Sequence, residues 1–375
     1  MPLTFHPSPR MTLGVELELQ ILDARSRDLS PGAWRIFESL GPDRPHIKPE
    51  IFQSMIEINT GICEDVGQVR SDIDAAIAEV REACGGLGLA IAAAGSHPFA
   101  RYGDRSLYPT ERFQSLIDRN QWIARRLMVF GLHVHVGMRD GDHAVAMLNG
   151  MLPYLPHLLG ASASSPFWQG DDTGLASSRI TIFEALPTAG HPCTFGSWAE
   201  FMSLYDSMLA SRTIGSIKDI WWDIRLHPDF GTVEVRICDI PPTVSEILSL
   251  VALTQTLFRW LDGQHREGRR FTPPPDWILR ENKWRASRWG LEAEIVLDAE
   301  GRTTSLRRDL ERLVTTLEPV AAELRCGAEL RGLGKAIERG TSSDRQRRVF
   351  QRTHSLELVT EALVEEFQTD RRVES

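Results

Sequence analysis

Gly14-Val15-Glu16-Leu17-Glu18-Leu19-Gln20-Ile21-Leu22 alternates apolar and polar side chains without a slip. Successive side chains on a β-strand point to opposite faces, so this pattern predicts a strand with Val15, Leu17, Leu19 and Ile21 buried on one side. Glu16, Glu18 and Gln20 then share the other side. Two carboxylates side by side on one sheet face are costly to bury without a partner, and the reading of the chain turns on what would offset them.

Three further stretches carry the same period. Gly131-Leu132-His133-Val134-His135-Val136-Gly137 places two imidazoles on one face. Thr232 to Asp239 sets Glu234 and Arg236 opposite Val233, Val235 and Ile237. Ile51 to Thr60 is a weaker case, with Glu57 pointing away from Ile56 and Ile58. Leu87 to Ala94 reads as a short buried strand and Trp221 to Arg225 as extended.

Helical spacing appears between these strands. Val69, Ile73, Ile77 and Val80 form one stripe within Asp65 to Cys84, stopped by Gly85-Gly86. Arg112 to Phe130, Ala144 to Leu159, Trp198 to Ala210 and Val244 to Arg266 also read as helices. Ser162 to Pro192, rich in Gly, Ser, Asp and Pro, reads as a long functional loop, with Trp168 to Arg179 suited to a cover over a substrate. From Leu306 onward the chain is Arg-rich and helical, with breaks expected near Gly327 to Gly334 and Gly340 to Ser343. The expected fold is α+β: one antiparallel curved sheet of about six strands forming a funnel, with helices on its outer face. Residues 1–375 are read as a single domain with a helical C-terminal part from about 305.

If the four alternating strands share one sheet, its polar face gathers Glu16, Glu18, Glu57 and Glu234 with His133 and His135. Divalent cations would relieve the repulsion. Carboxylates with few imidazoles suit Mg²⁺ or Mn²⁺ better than zinc. Mg²⁺ is usually shared with substrate phosphates, and Arg236 beside Glu234 offers a bidentate phosphate ligand. The set therefore points to ATP bound through metals. Each strand alone also fits a solvated sheet face; the joint pattern carries the argument. Lys283, Arg285 and Arg288, following Glu281-Asn282, are candidates to hold nucleotide phosphates, with a solvated basic helix as the alternative.

The composition narrows the classes. The 375 residues carry 42 Lys plus Arg against 51 Asp plus Glu, a net charge of −9, which is not the footprint of a nucleic-acid-binding protein. Five cysteines, with no C-x-x-C pair, suggest neither a zinc cage nor a disulfide framework and fit a reducing cytoplasm. No stretch is long and apolar enough to imply export or membrane anchoring. There is no P-loop, dinucleotide fingerprint, H-E-x-x-H or G-x-S-x-G motif.

Gly14-Val15-Glu16-Leu17-Glu18, Gln53 to Thr60, Leu132 to Gly137, Ser164-Ser165-Pro166-Phe167-Trp168-Gln169-Gly170, Trp222-Asp223-Ile224-Arg225 with His227-Pro228, Glu234-Val235-Arg236 and Glu281-Asn282-Lys283-Trp284-Arg285 occur in an order that resembles the type 2 glutamate-cysteine ligases, the YbdK-like carboxylate-amine ligases. The resemblance runs from about Thr12 to Phe367. It implies a glutamine synthetase-like fold and ATP-dependent amide bond formation, in which the γ-carboxylate of glutamate is phosphorylated and then attacked by the amine of cysteine. It further implies that Glu16, Glu18, Glu57, His133 and Glu234 are metal ligands, with His135 a weaker candidate. Arg236 falls where a γ-phosphate contact is expected, and Arg225 is a candidate for the substrate carboxylate or the phosphate. A homodimer is implied as well. The family's usual start has an acid where this chain has Leu17, but that position faces the aliphatic side. Two rivals remain at this point: a divalent-metal hydrolase using the same cluster, and a non-catalytic nucleotide- or amino-acid-binding homologue.

Overall fold

The fold was described from a computed structural model, which covers residues 3–373. Its centre is a seven-stranded antiparallel sheet: β1 (Leu13–Asp23), β2 (Ile47–Pro49), β3 (Met55–Asn59), β4 (Leu89–Ala92), β5 (Gly131–Gly137), β6 (Ile224–His227) and β7 (Thr232–Asp239). The order is β6-β7-β5-β1-β3-β2, and β4 pairs with the far half of β1. Sequence reading expected about six strands; the short edge strand β2, which contains a proline, carried no alternation to reveal it.

The aliphatic face is buried as the periodicity requires. Leu17, Leu19, Ile56, Ile58, Leu132, Val136, Val233 and Val235 are fully buried, and helices Val66–Gly85 and Val244–Arg266 pack against this side. The first helix starts where Asp65 accepts a hydrogen bond from the Gln68 backbone at 3.0 Å and ends in the predicted glycine pair. The second starts at Thr243, whose hydroxyl accepts from Glu246 N at 3.1 Å.

Helices Leu306–Glu323 and Gly327–Arg339 pack on Val244–Arg266. The last two, Ser342–Thr353 and Leu356–Thr369, are tied down by Arg345, which reaches Glu246 at 2.9 Å and Glu366 at 2.7 Å.

Three expectations need correction. The helix expected over Arg112 to Phe130 is two pieces, Glu111–Asn120 and Trp122–Arg125, divided at Gln121, whose φ is +49°. The segment Ser162 to Pro192 is not a bare loop, because it contains the helix Ser178–Phe183 and the strand pair Phe167–Trp168 with Asp171–Asp172. Of its predicted cover, Trp168 to Arg179, Asp172 pairs with Arg347 at 2.7 Å, and Arg179 at the far end lines the cleft. Finally, the break expected near Gly327 to Gly334 falls just ahead of it, at 324–326, and Gly327 to Gly334 itself is helix, with Leu330, Leu333 and Ile337 burying one face. Gly332 is there for close approach, as a Cβ would stand 2.3 Å from Ser249 Oγ on the neighbouring helix.

Candidate active site

The register turns the alternation into rows across the polar face. Arg225 sits opposite Glu234, Glu234 opposite His135, and His135 opposite Gly14. One step along, Glu16 faces His133; a further step brings Glu18 opposite Glu57 and Glu57 opposite Lys48. Near Arg236 the pairing shifts, with two residues of β7, Arg236 and Ile237, set against one of β5, His133, which is a β-bulge. On the other side Arg236 N donates to Asp223 O at 2.8 Å, extending the register of β6 with β7 by one pair, and Arg236 lines the cleft.

Glu16, Glu18, Glu57, His133, Arg225 and Arg236 line a cleft of about 450 Å³, with Glu234 and His135 buried behind them. His133 Nδ1 lies 3.1 Å from Glu16 Oε2 and 3.9 Å from Glu234 Oε1, while Nε2 is 3.8 Å from Glu18 Oε1. His135 Nε2 lies 3.4 Å from Glu16 Oε1, and its Nδ1 is 2.9 Å from the Thr232 hydroxyl. One ligand atom each from Glu16, His133 and Glu234 falls within 4.8 Å of the others, close enough to share an ion. Glu234, fully buried, accepts from Arg225 Nε at 2.5 Å and from Arg236 Nη1. Arg236 keeps a buried Nε–H with no hydrogen-bond partner among the described residues.

The charges are strongly coupled. Burial alone would raise Glu16, but hydrogen bonds from His133 and His135 outweigh it and hold the carboxyl well below its usual range. Burial would likewise raise Glu234, and the two guanidinium groups, helped by His135, drive it far down instead. For His135 burial works downward, and Glu234 with Glu16 push the imidazole up. The Glu50 and Glu57 carboxyls are raised, by burial first and then by neighbouring carboxylates. An acidic group with raised affinity for protons is also the kind of donor set that a divalent cation relieves.

The structure thus brings Glu16, Glu18, Glu57, His133, His135, Glu234, Arg225 and Arg236 to one place. It does not bring Lys283, Arg285 or Arg288 to the cleft lining. Lys283 is buried in ion pairs with Asp223 and Glu184, Arg285 pairs with Glu281 on its own helix, and Arg288 donates to Gly174 O. A basic run reads alike in sequence whether its charges face a ligand or a distant carboxylate.

Sequence reasoning missed Arg179 and Glu50. Arg179 projects from the helix Ser178–Phe183, lines the cleft, and brings Nη2 to 3.5 Å from His133 Nε2. Its approach depends on Gly131, where a Cβ would stand 2.1 Å from that Nη2. The loop ahead of it is anchored on Asp239, which accepts from Ser164 N, Ser165 Oγ and Ser177 Oγ at 2.7–2.8 Å. The signal for Arg179 was present in the run Ser177-Ser178-Arg179, but no periodicity pointed to it.

An antiparallel sheet whose polar face gathers carboxylates, imidazoles and arginines around one cleft fits the class of ATP-dependent carboxylate-amine ligases of the glutamine synthetase-like fold. Solved structures agree on the fold. A glutamate–cysteine ligase from Francisella tularensis in complex with AMP superposes with a TM-score of 0.68 at 12% identity, covering 97% of this chain and 90% of that one. A bifunctional glutathione synthetase from Pasteurella multocida gives 0.67 at 14% identity, over 96% of this chain and 52% of that one. The model of the family "Glutamate-cysteine ligase family 2(GCS2)" matches residues 12–366, and the chain belongs to that family. Relatives that carry the name glutamate–cysteine ligase 2 provisionally include one from Bdellovibrio bacteriovorus, 46% identical over 369 residues and 98% of both chains. Another, from Thermobifida fusca, is 44% identical over 372 residues, 98% of this chain and 93% of that one. The family implies ATP and a divalent metal. Among the described residues no helix is long and apolar enough to cross a membrane.

Proposed function

We propose that the protein phosphorylates the γ-carboxylate of glutamate with ATP and passes the acyl group to the amine of cysteine, giving γ-glutamylcysteine, ADP and phosphate. The observation that carries this reading is the meeting of Glu16, His133 and Glu234 with Arg225 and Arg236 at the floor of one cleft. A metal hydrolase would need the first three only; the arginines favour phosphate handling.

The donor set fits Mg²⁺ or Mn²⁺, with Glu16, His133 and Glu234 holding one ion and Glu18, Glu50 and Glu57 extending the acidic wall toward further ones. Bound there, a divalent cation would neutralise charge on the phosphates. Arg236, which lines the cleft, would meet the transferring phosphoryl group, and Arg225 supports it through Glu234. Arg179 supplies a third guanidinium, placed by Gly131 to receive a carboxylate or phosphoryl oxygen. Phosphoryl transfer asks mainly for such positioning and charge stabilisation. Phe230, 58% exposed and stacked on His227 with ring centroids 4.2 Å apart, offers a flat apolar face at the cleft wall for the nucleotide base. No cysteine serves in this scheme; all five are unpaired, in keeping with a cytoplasmic setting. The chain is read as one ligase unit over residues 1–375, with a homodimer as its proposed assembly.

Glu16→Gln and Glu234→Gln test the site. Each is expected to abolish Mg·ATP turnover while the circular dichroism spectrum stays that of the folded protein. ATP consumption at the wild-type rate in both variants would remove the assignment.

A further inference from the structure

Lys283 lies outside the cleft lining, yet its ammonium pairs with carboxylates on the two segments next to the three cleft arginines. It sits on the buried side of helix Asp276–Trp289, 6% exposed, with Nζ 2.7 Å from Asp223 Oδ2 and 3.0 Å from Glu184 Oε1. Glu184 directly follows helix Ser178–Phe183, which carries Arg179. Asp223 precedes β6 and stands two residues before Arg225. The Asp223 backbone is itself committed on both sides: its N–H donates to Gly190 O at 2.8 Å, and its carbonyl accepts from Arg236 N at 2.8 Å. Ser287, one turn further along the Lys283 helix, accepts at its carbonyl from Ala176 N and Ser177 N at 2.9 and 3.0 Å, so the same helix also holds the approach to Arg179.

A buried ammonium needs a partner, since desolvating an unpaired charge is expensive. One carboxylate would meet that need. Here two are used, from segments 39 residues apart in sequence, and each belongs to a different arm of the cleft. We infer that Lys283 is a positioning residue that clamps the arms bearing Arg179 on one side and Arg225 and Arg236 on the other, fixing the spacing of the three guanidinium groups. This rests on the reading of those arginines as the phosphate- and carboxylate-binding groups. An ion pair serving only stability would hold the fold without setting that spacing.

The test uses the full chain and two readouts. The Nε–H resonances of Arg179, Arg225, Arg236 and the remote Arg345, assigned through single Arg→Lys variants, report guanidinium placement whether or not the protein turns over. Phosphate release with Mg·ATP, acid and amine reports kcat and KM. Lys283→Met is expected to move the three cleft resonances and leave Arg345 in place, and to lower kcat about 10²-fold, the scale of a 1 Å misplacement, with KM for the amine within about twofold. Lys283→Arg keeps the charge and is expected to recover most of kcat. Glu184→Gln removes one arm at a half-exposed carboxylate, so it folds if Lys283→Met does not; it is expected to move Arg179 alone. Cleft resonances unmoved in folded Lys283→Met, or in Glu184→Gln where that variant stands alone, would overturn the clamp. So would a Lys283→Met kcat equal to wild type. Absence of ATP-dependent turnover in the wild-type protein would instead strike the proposed function, while the resonances still judge the clamp.

Discussion

Adding one carbon at Gly131 should disable the site without disturbing the sheet. Gly131 is paired on both sides, to β1 through Glu18, whose carboxylate accepts from its N–H, and to β7 opposite Asp239, so its backbone has little room to retreat. A Cβ there would stand 2.1 Å from Arg179 Nη2 and 2.9 Å from His133 Nε2, where ordinary contact begins at 3.4 Å. The guanidinium, being the free end of its side chain, would have to withdraw by about 1.3 Å, a displacement of the size that costs a reaction roughly 10²-fold, or about 2.7 kcal/mol in the barrier. Gly131→Ala should therefore lower kcat for phosphate release about a hundredfold and shift the thermal transition little. Gly14→Ala is the contrast, because its Cβ meets His135 Cβ at an ordinary 3.5 Å, and it should keep near-wild-type turnover. Full activity in Gly131→Ala would refute the placement of Arg179 in the chemistry, as would equal losses in both variants.

Two other outcomes follow from buried charges away from the cleft. His97 is fully buried; its Nδ1 accepts from Ala100 N at 3.0 Å, so the proton sits on Nε2 and donates to Arg27 O at 2.9 Å. Burial holds its pKa down to about 4 against an ordinary 6.5. The unfolded chain takes up this proton as pH falls below 6.5 and the folded chain does not until about 4, so stability should be lost across that window, by up to about 3 kcal/mol. Urea unfolding of wild type and His97→Gln at pH 7 and 4.5 checks this: the gap between them should narrow at the lower pH, and a constant gap would contradict it. Arg345→Met leaves Glu246 and Glu366 without their shared partner, though Arg372 still reaches Glu246 at 2.8 Å, and should cost about 3 kcal/mol of stability with kcat of the folded enzyme unchanged. A loss of kcat in folded protein would mean that these helices reach the site.

What could be read from the chain followed the range of the interactions. β5 and β7 and the helices Trp198–Ala210 and Val244–Arg266 appear within the expected bounds because period alone defines them. The clustering of Glu16, Glu18, Glu57, His133, His135 and Glu234 was visible for the same reason: alternation decides which side chains share a face, and one sheet then brings the faces together. Arg179 escaped because a six-residue helix has too few turns to show a stripe. The ion pairs of Lys283 were not legible, because Asp223 and Glu184 are remote in sequence and a basic helix with hidden partners looks solvated. Gly327 to Gly334 was taken for a break because glycine weakens a helix in isolation. In the fold the absent side chain at Gly332 is what allows close packing on Ser249.

The central claim is that one cleft couples ATP cleavage to joining an acid and an amine. Phosphate release should be followed with Mg·ATP while amino acid carboxylates are crossed against amine acceptors, and the product of any active pair identified by mass spectrometry. The account predicts phosphate only when acid and amine are both present, highest with glutamate and cysteine, and a product heavier than either by the joined partner less one water. Substrate breakdown that proceeds equally without ATP would contradict it.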